Sequence, residues 1–228
     1  MRRVFILCGV IAVIIVIAVA YQYRLEQEAA LLEKQRIERE LQAQKERQAE
    51  RLIIEKRLRD KAAEALIYAK QNNFDLKHAV LIDFSIHSGK KRFFVWNYET
   101  DSVEFSSLVA HGYGNDNYRS TTSKIVFSNV NGSYASSLGK YKIGIRSYSQ
   151  WGINVHYKLH GLEKTNDNAY KRIIVLHSYE YIPESELYPL HLPLGYSQGC
   201  PVIDNSSMKK IDSLMKTKSK PVLLWIYQ

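Results

Sequence analysis

Lys171–Asp204 reads KRIIVLHSYEYIPESELYPLHLPLGYSQGCPVID: a β-branched run ending in a histidine, a proline-rich passage, and a glycine turn carrying a cysteine. The run to His177 has strand length and strand composition. Pro183, Pro189, Pro193 and Pro201 stiffen the passage after it, and a stiff return brings Cys200 back beside His177 at its strand's end. A thiol attacks as the thiolate, and histidine is the usual base that makes it one. Gly199 permits a tight turn whose N–H groups can face an oxyanion. The three residue types together point to acyl transfer.

Outward from this stretch, the chain from Leu76 onward is rich in tyrosine, serine, asparagine and glycine and holds short alternating runs. HAVLIDFS near Val80, KRFFVWNY from Lys91, SVEFSSLVAHG from Ser102, GKYKIGIRSY from Gly139, INVHYKLHGL from Ile153 and PVLLWIY from Pro221 all read as strands. HSGKK (His87–Lys91) reads as the turn between the first two. One helix is expected, Ser206–Lys216, capped by Asn205 or Ser206. Residues 76–228 are therefore expected to form one mainly β domain.

The N-terminal third is different. Arg2 and Arg3 precede an apolar run, VFILCGVIAVIIVIAVA (Val4–Ala20), with Tyr21 and Tyr23 beyond it. A cleaved signal peptide would use a shorter run and a site such as Ala18-Val-Ala20; the length favours an uncleaved transmembrane anchor, residues 1–21. Either reading carries the chain beyond Tyr21 across a membrane, by the positive-inside rule. Cys8 then lies within the span as an apolar residue. Tyr21–Phe74 holds no glycine or proline and is built from Glu, Gln, Lys, Arg, Ala, Leu and Ile, so residues 22–75 read as a charged helical stalk that could reach about 80 Å. Glu33 with Arg36 and Glu55 with Arg59 sit at helical spacing. Apolar residues cluster at Leu25–Leu41 and Leu52–Leu66 but fail across Gln42–Arg51, which favours a solvated spacer over a coiled-coil homodimer. QNNFD (Gln71–Asp75) reads as the helix stop.

With Cys8 in the span, Cys200 is left without an intrachain partner, and in an oxidising compartment that marks a reactive or intermolecular thiol. The alternative is a buried cysteine acting as a small hydrophobe. Residues 76–228 carry 18 Lys or Arg against 12 Asp or Glu, a surplus suited to envelope polyanions; a domain outside the cytoplasm is a poor nucleic-acid binder. His156 and His160 on one strand stand about 13 Å apart, too far to share a metal. EKTNDNAYKR (Glu163–Arg172) lacks the glycine and terminal glutamate of a calcium loop. His111 and His160, beside glycines at strand ends, read as packed structural histidines. No metal and no cofactor is implied.

IVLHS (Ile174–Ser178) followed by SQGC (Ser197–Cys200) resembles the catalytic signature of the L,D-transpeptidases. The blocks IDFSIHSGKKRFFVWN, VAHGYG, FSNVNGSYASSLGKYKIG, HGLEKTNDNAYKRIIVLHS and GYSQGCPVI are similar in order to the murein L,D-transpeptidase catalytic domain branch. The resemblance implies an L,D-transpeptidase-like β-sandwich or barrel. Its cysteine attacks the carbonyl of a diamino acid in a peptidoglycan tetrapeptide stem and passes the acyl group to an amine or to water. Carried over, Cys200 is the nucleophile, His177 its base, Ser178 the residue that orients the imidazole through its carbonyl, and Gly199 with Cys200 the oxyanion donors. Ser197 and Gln198 in the turn, and Ser136, Ser137, Gly139 and Tyr141 in the turn-to-strand block, are implied substrate-binding positions. Gln198 stands where the commoner pattern has histidine, and Pro201-Val202 where it often has a polar residue two beyond the cysteine; the murein branch shares both.

Three functions stand as expectations. The first is a cysteine L,D-transpeptidase on the inner membrane with its catalytic domain in the periplasm. The second is an L,D-carboxypeptidase or endopeptidase using the same site, since acceptor choice rests on pocket shape and water exclusion. The third is a catalytically silent wall-binding module.

Overall fold

The computed structural model describes residues 2–114 and 125–228, with side chains from Ile14 onward, that of Leu194 excepted. A helix, α1, runs from Arg2 to Gln71, and the chain divides into two compact units, Met1–Lys56 and Arg57–Gln228.

The first unit is helix throughout its described length. From Tyr21 onward it holds no glycine or proline and is rich in strong helix formers, which favours the helix. Its apolar side chains, among them Leu25, Leu31, Leu32, Ile37 and Leu41, are exposed, and Arg36 pairs with Glu33 at 2.6 Å one turn away. The anchor expected at 1–21 falls largely on residues 1–13, whose side chains lie outside the described ones. Among the described residues no helix is long and apolar enough to cross a membrane.

The second unit begins earlier than residue 76, because the last turns of α1 belong to it. Leu58, Ala62, Ala65 and Ala69 are buried along one helical stripe. They lie on the outer face of an eight-stranded sheet, where Lys61 Nζ rests 4.4 Å from the Trp225 ring and Arg57 pairs with the buried Asp83 at 2.7 Å. The helix ends where Asn73 takes φ 59°, the left-handed stop that asparagine tolerates.

The strands are β1 (His78–Asp83), β2 (Phe93–Asn97), β3 (Ser102–Ser107), β4 (Gly139–Tyr148), β5 (Val155–Gly161), β6 (Val175–Ser178), β7 (Val202–Ile203) and β8 (Leu223–Tyr227). Their order is β3-β2-β1-β8-β4-β5-β6-β7. The pairs β1/β8 and β6/β7 are parallel and the others antiparallel. Alternation explains the layering: Val80, Ile82, Leu224 and Ile226 point into the main core with Leu159 and Leu176, whereas Ala79, Leu81 and Trp225 lie on the face under α1. Because β1 and β2 share one core with β5 and β6, the sheet curls on itself, as a barrel or sandwich requires.

A second helix, α2 (Asn205–Lys216), closes that core with Met208 and Ile211. Its cap is Asp204, not Asn205 or Ser206: the Asp204 carboxylate accepts from Ser207 N at 2.7 Å and from Ser107 Oγ at 2.6 Å. A carboxylate is the stronger acceptor for the helix's unpaired donors and suits its positive end.

Candidate active site

β6 and β7 assemble the site. Their parallel pairing sets His177 opposite Val202 and Ser178 opposite Ile203, so Cys200, two residues before Val202, lies beside the N-terminal part of β6. Val175 N–H donates to Cys200 Sγ at 3.4 Å. The proline-rich return is fixed by its own small core, in which Ile182 and Leu192 pack with Leu108, Ala110 and Val202. Cys200 and His177 line one open cavity of about 650 Å³ together with Trp151, His156, Ile173 and Gln198.

The turn itself admits only glycine at 199. Its φ is 114°, and a Cβ there would stand 2.8 Å from Ala135 O and 3.1 Å from Ile174 Cδ1. Ser197 ties the turn shut, accepting from Gly199 N at 3.0 Å and donating to Cys200 O at 2.5 Å. Ile173, next to the thiol, takes φ 57° while 65% exposed. A β-branched residue in the left-handed region is strained, and such strain clusters at functional sites.

The imidazole is held in one tautomer. His177 Nδ1 lies 3.0 Å from Ser178 O; a carbonyl only accepts, so Nδ1 carries the proton and Nε2 keeps a lone pair. Burial lowers the His177 pKa from its ordinary 6.5, offset in part by that carbonyl, while His156 lowers it further. Burial likewise raises the Cys200 thiol above its ordinary 9.0, opposed by the Val175 N–H and by the Arg172 guanidinium. Both shifts favour a neutral thiol beside a neutral imidazole at rest.

The expected substrate positions divide. Gln198 is exposed and lines the cavity. Ser197 lines it but spends its hydroxyl on the turn. Ser136, Ser137, Gly139 and Tyr141 lie behind the turn and are not among the residues lining the cavity. Ser136 accepts from Gly112 N at 3.0 Å and donates to Gly199 O at 3.2 Å. Ser137 Oγ accepts from Arg172 at 2.7 Å. Tyr141 is fully buried, its hydroxyl donating to Ser137 O at 2.7 Å. Gly139, at φ 126°, approaches Glu163 and Asn166 so closely that a Cβ would overlap both. The Gly199 N–H, the other expected oxyanion donor beside that of Cys200, is engaged by Ser197 Oγ.

Several lining residues were not legible beforehand. Trp151 stands edge-on to Tyr179 at 5.5 Å, and Tyr179 to Tyr196 at 5.4 Å, forming an aromatic wall. His156 faces His177 across the β5/β6 ladder. The signal for His156 was its even spacing along a predicted strand, but nothing in the sequence says which strand pairs with β6. Arg172 holds Ser128 O, Ala135 O and Ser137 Oγ, bracing the segment under the thiol. His111 and His160 are packed, His111 against Arg92 at 2.8 Å and His160 on the Tyr170 ring at 4.8 Å. In the loop after β5, Glu163 pairs with Lys140 at 2.7 Å.

Residues 50–227 match the family model described as the L,D-transpeptidase catalytic domain. No curated protein matches the chain. Among solved structures, the helical cell shape determining protein Pgp2 of Campylobacter jejuni is similar at 15% identity and TM-score 0.43, over 66% of this chain and 47% of that one. The L,D-transpeptidase of Xylanimonas cellulosilytica is similar at 13% identity and TM-score 0.36, over 66% and 60%. L,D-transpeptidase 3 of Mycobacterium tuberculosis is similar at 12% and 0.33, over 67% and 60%. The chain thus spans about half the length of Pgp2.

Proposed function

The chain belongs to the L,D-transpeptidase catalytic domain family, and from that premise we propose that it is a cysteine acyltransferase acting on peptidoglycan stem peptides, with Cys200 as nucleophile and His177 as base. The observation that carries this reading is the His177 Nδ1 to Ser178 O bond, which leaves Nε2 as the acceptor in the cavity that Cys200 also lines. In the first step Sγ bonds to the stem's carbonyl carbon as its proton passes to His177 Nε2. The tetrahedral oxyanion is met by the Cys200 N–H, the Gly199 N–H being engaged by Ser197. Collapse breaks the C–N bond, and His177 returns the proton to the departing amine. The thioester is then attacked by an acceptor amine, whose proton passes to His177 as the thiolate leaves and is reprotonated.

The test is the full chain in detergent with a disaccharide-tetrapeptide, read by intact-protein and product mass spectrometry beside Cys200→Ala. A Cys200-dependent adduct with a crosslinked or amine-exchanged product supports the proposal. An adduct with only a shortened stem replaces transpeptidation by hydrolysis, and no adduct supports the silent wall-binding module.

The same proposal includes residues 1–21 as an inner-membrane anchor, with the catalytic unit in the periplasm. Its support is the apolar run Val4–Ala20 behind Arg2 and Arg3. The chain should stay with membranes through alkaline carbonate extraction; release would contradict the anchor.

A further inference from the structure

A second cavity, of about 310 Å³, shares no lining residue with the Cys200 cavity. Its lining includes Arg92, His111, His87, His191 and Ser88. Arg92 is 1% exposed and is held by neutral acceptors: Nε and Nη2 donate to Val109 O at 3.2 and 2.9 Å, and Nη1 to Ile86 O at 3.3 Å. Among the described residues it makes no ion pair. The carboxylate that acts on it from a distance, Asp83, is already committed to Arg57 at 2.7 Å and to Ser85 Oγ at 2.6 Å. A buried cation without its own counter-ion is costly and is ordinarily paired.

The histidine beside it adds a donor. Arg92 Nη2 can only donate, so His111 Nδ1, 2.8 Å away, accepts, and the neutral His111 ring must carry its proton on Nε2. His87 is fixed in the same way, its Nδ1 accepting from Gly89 N at 3.0 Å. A ring whose Nε2 is protonated cannot use that nitrogen as a metal ligand, so this arrangement suits an acceptor and not a cation. His191 bonds Ser88 Oγ at 2.9 Å and stacks on His87 at 3.8 Å. Phe84 provides an apolar floor, 4.8 Å below the Arg92 guanidinium.

We propose that this cavity binds a small oxyanion, phosphate or carboxylate, against the Arg92–His111 pair, with His87, His191 and Ser88 forming its rim. The occupant would also bear on the Cys200 turn. Gly112, adjacent to His111, packs so closely on Gly199 that a Cβ there would stand 2.7 Å from its N and Cα, and Tyr113 N donates to Ser197 O at 3.4 Å. The cavity is too small for a glycan strand but sized for an anionic group on a short stem.

The experiment is calorimetric titration of the full chain in detergent with inorganic phosphate and, separately, with acetate, in wild type, His111→Gln and His191→Gln. Saturable one-to-one binding of either anion, weakened about tenfold or more in at least one variant (about 1.4 kcal/mol), is the expected result. Binding of phosphate alone points to a phosphate source, and of acetate alone to a carboxylate source. No saturable heat with either anion in wild type overturns the proposal without depending on any variant's folding. Binding unchanged in both variants overturns it as well. Cys200→Ala should bind the anion as wild type does, so the failure of this site and the failure of the proposed chemistry are separable.

Discussion

Gly152→Ala is the most informative single change, because it reaches the base without touching it. Gly152 has φ 59°, and a Cβ there would lie 2.1 Å from Ser178 Oγ and 2.5 Å from Ser178 O. Rotating the Ser178 side chain relieves only the first contact. The second is with the carbonyl that fixes His177, so either the carbonyl or the Ser149–Asn154 loop must move. The left-handed backbone costs alanine about 1–2 kcal/mol. Lifting the loop gives up the bond from Ile153 N to Ser178 Oγ, 3.1 Å, for roughly another 1 kcal/mol. At about 2–4 °C per kcal/mol for a unit of this size, the melting temperature should fall by roughly 4–12 °C. A misplacement of the base near 1 Å costs on the order of 10²-fold in rate, so acyl-enzyme formation at 25 °C, followed by intact-protein mass spectrometry, should drop by about that factor. Acylation within about threefold of wild type, together with the expected fall in melting temperature, would refute the role given to the Ser178 carbonyl.

The pH dependence comes from the two shifts at the site. With His177 held below 6.5 and Cys200 above 9.0, the imidazole loses its proton first as pH rises, and the acid limb of kcat/KM should lie below pH 6.5. Iodoacetamide should alkylate Cys200 with a midpoint above pH 9; a midpoint below 7 would mean a resting thiolate–imidazolium pair instead. For the fold, Asp212 is the group to change. It accepts from Arg146 Nε at 2.7 Å and Tyr157 OH at 2.8 Å and pairs with Lys216 at 2.8 Å, joining β4, β5 and α2, and these partners hold its carboxyl well below the usual range. Its stabilisation is present above the unfolded pKa of about 3.9 and is lost as pH falls from there toward the folded value. Asp212→Asn should cost about 2–3 kcal/mol at neutral pH and flatten that acid limb of the unfolding free energy. A cost below about 0.5 kcal/mol would show the hub contributes nothing.

The β runs were legible because alternation and β-branched composition survive in short windows, and β1 to β6 and β8 stand where such runs occur. β7 was not legible: two residues, Val202 and Ile203, carry no periodicity, and they form a strand only because β6 offers them an edge. The stop at Asn73 could be read because asparagine tolerates the left-handed conformation, whereas the start of the compact unit at Arg57 could not. The buried stripe Leu58, Ala62, Ala65 and Ala69 is mostly alanine, which is equally at home on an exposed helix. The pairing of Cys200 with the β6 neighbourhood was foreseeable from the glycine turn and the prolines. The hydrogen-bond partners of Ser136, Ser137 and Tyr141 behind the turn were not, because proximity in sequence to a site says nothing about which side of the turn a side chain occupies.

The most direct test of the account is the mass of the full chain after incubation with a disaccharide-tetrapeptide. The account predicts an increment equal to the acyl fragment of the stem, located on Cys200, absent in Cys200→Ala and greatly slowed in His177→Gln. An unmodified wild-type chain with an intact stem, or an adduct that persists in Cys200→Ala, would contradict it.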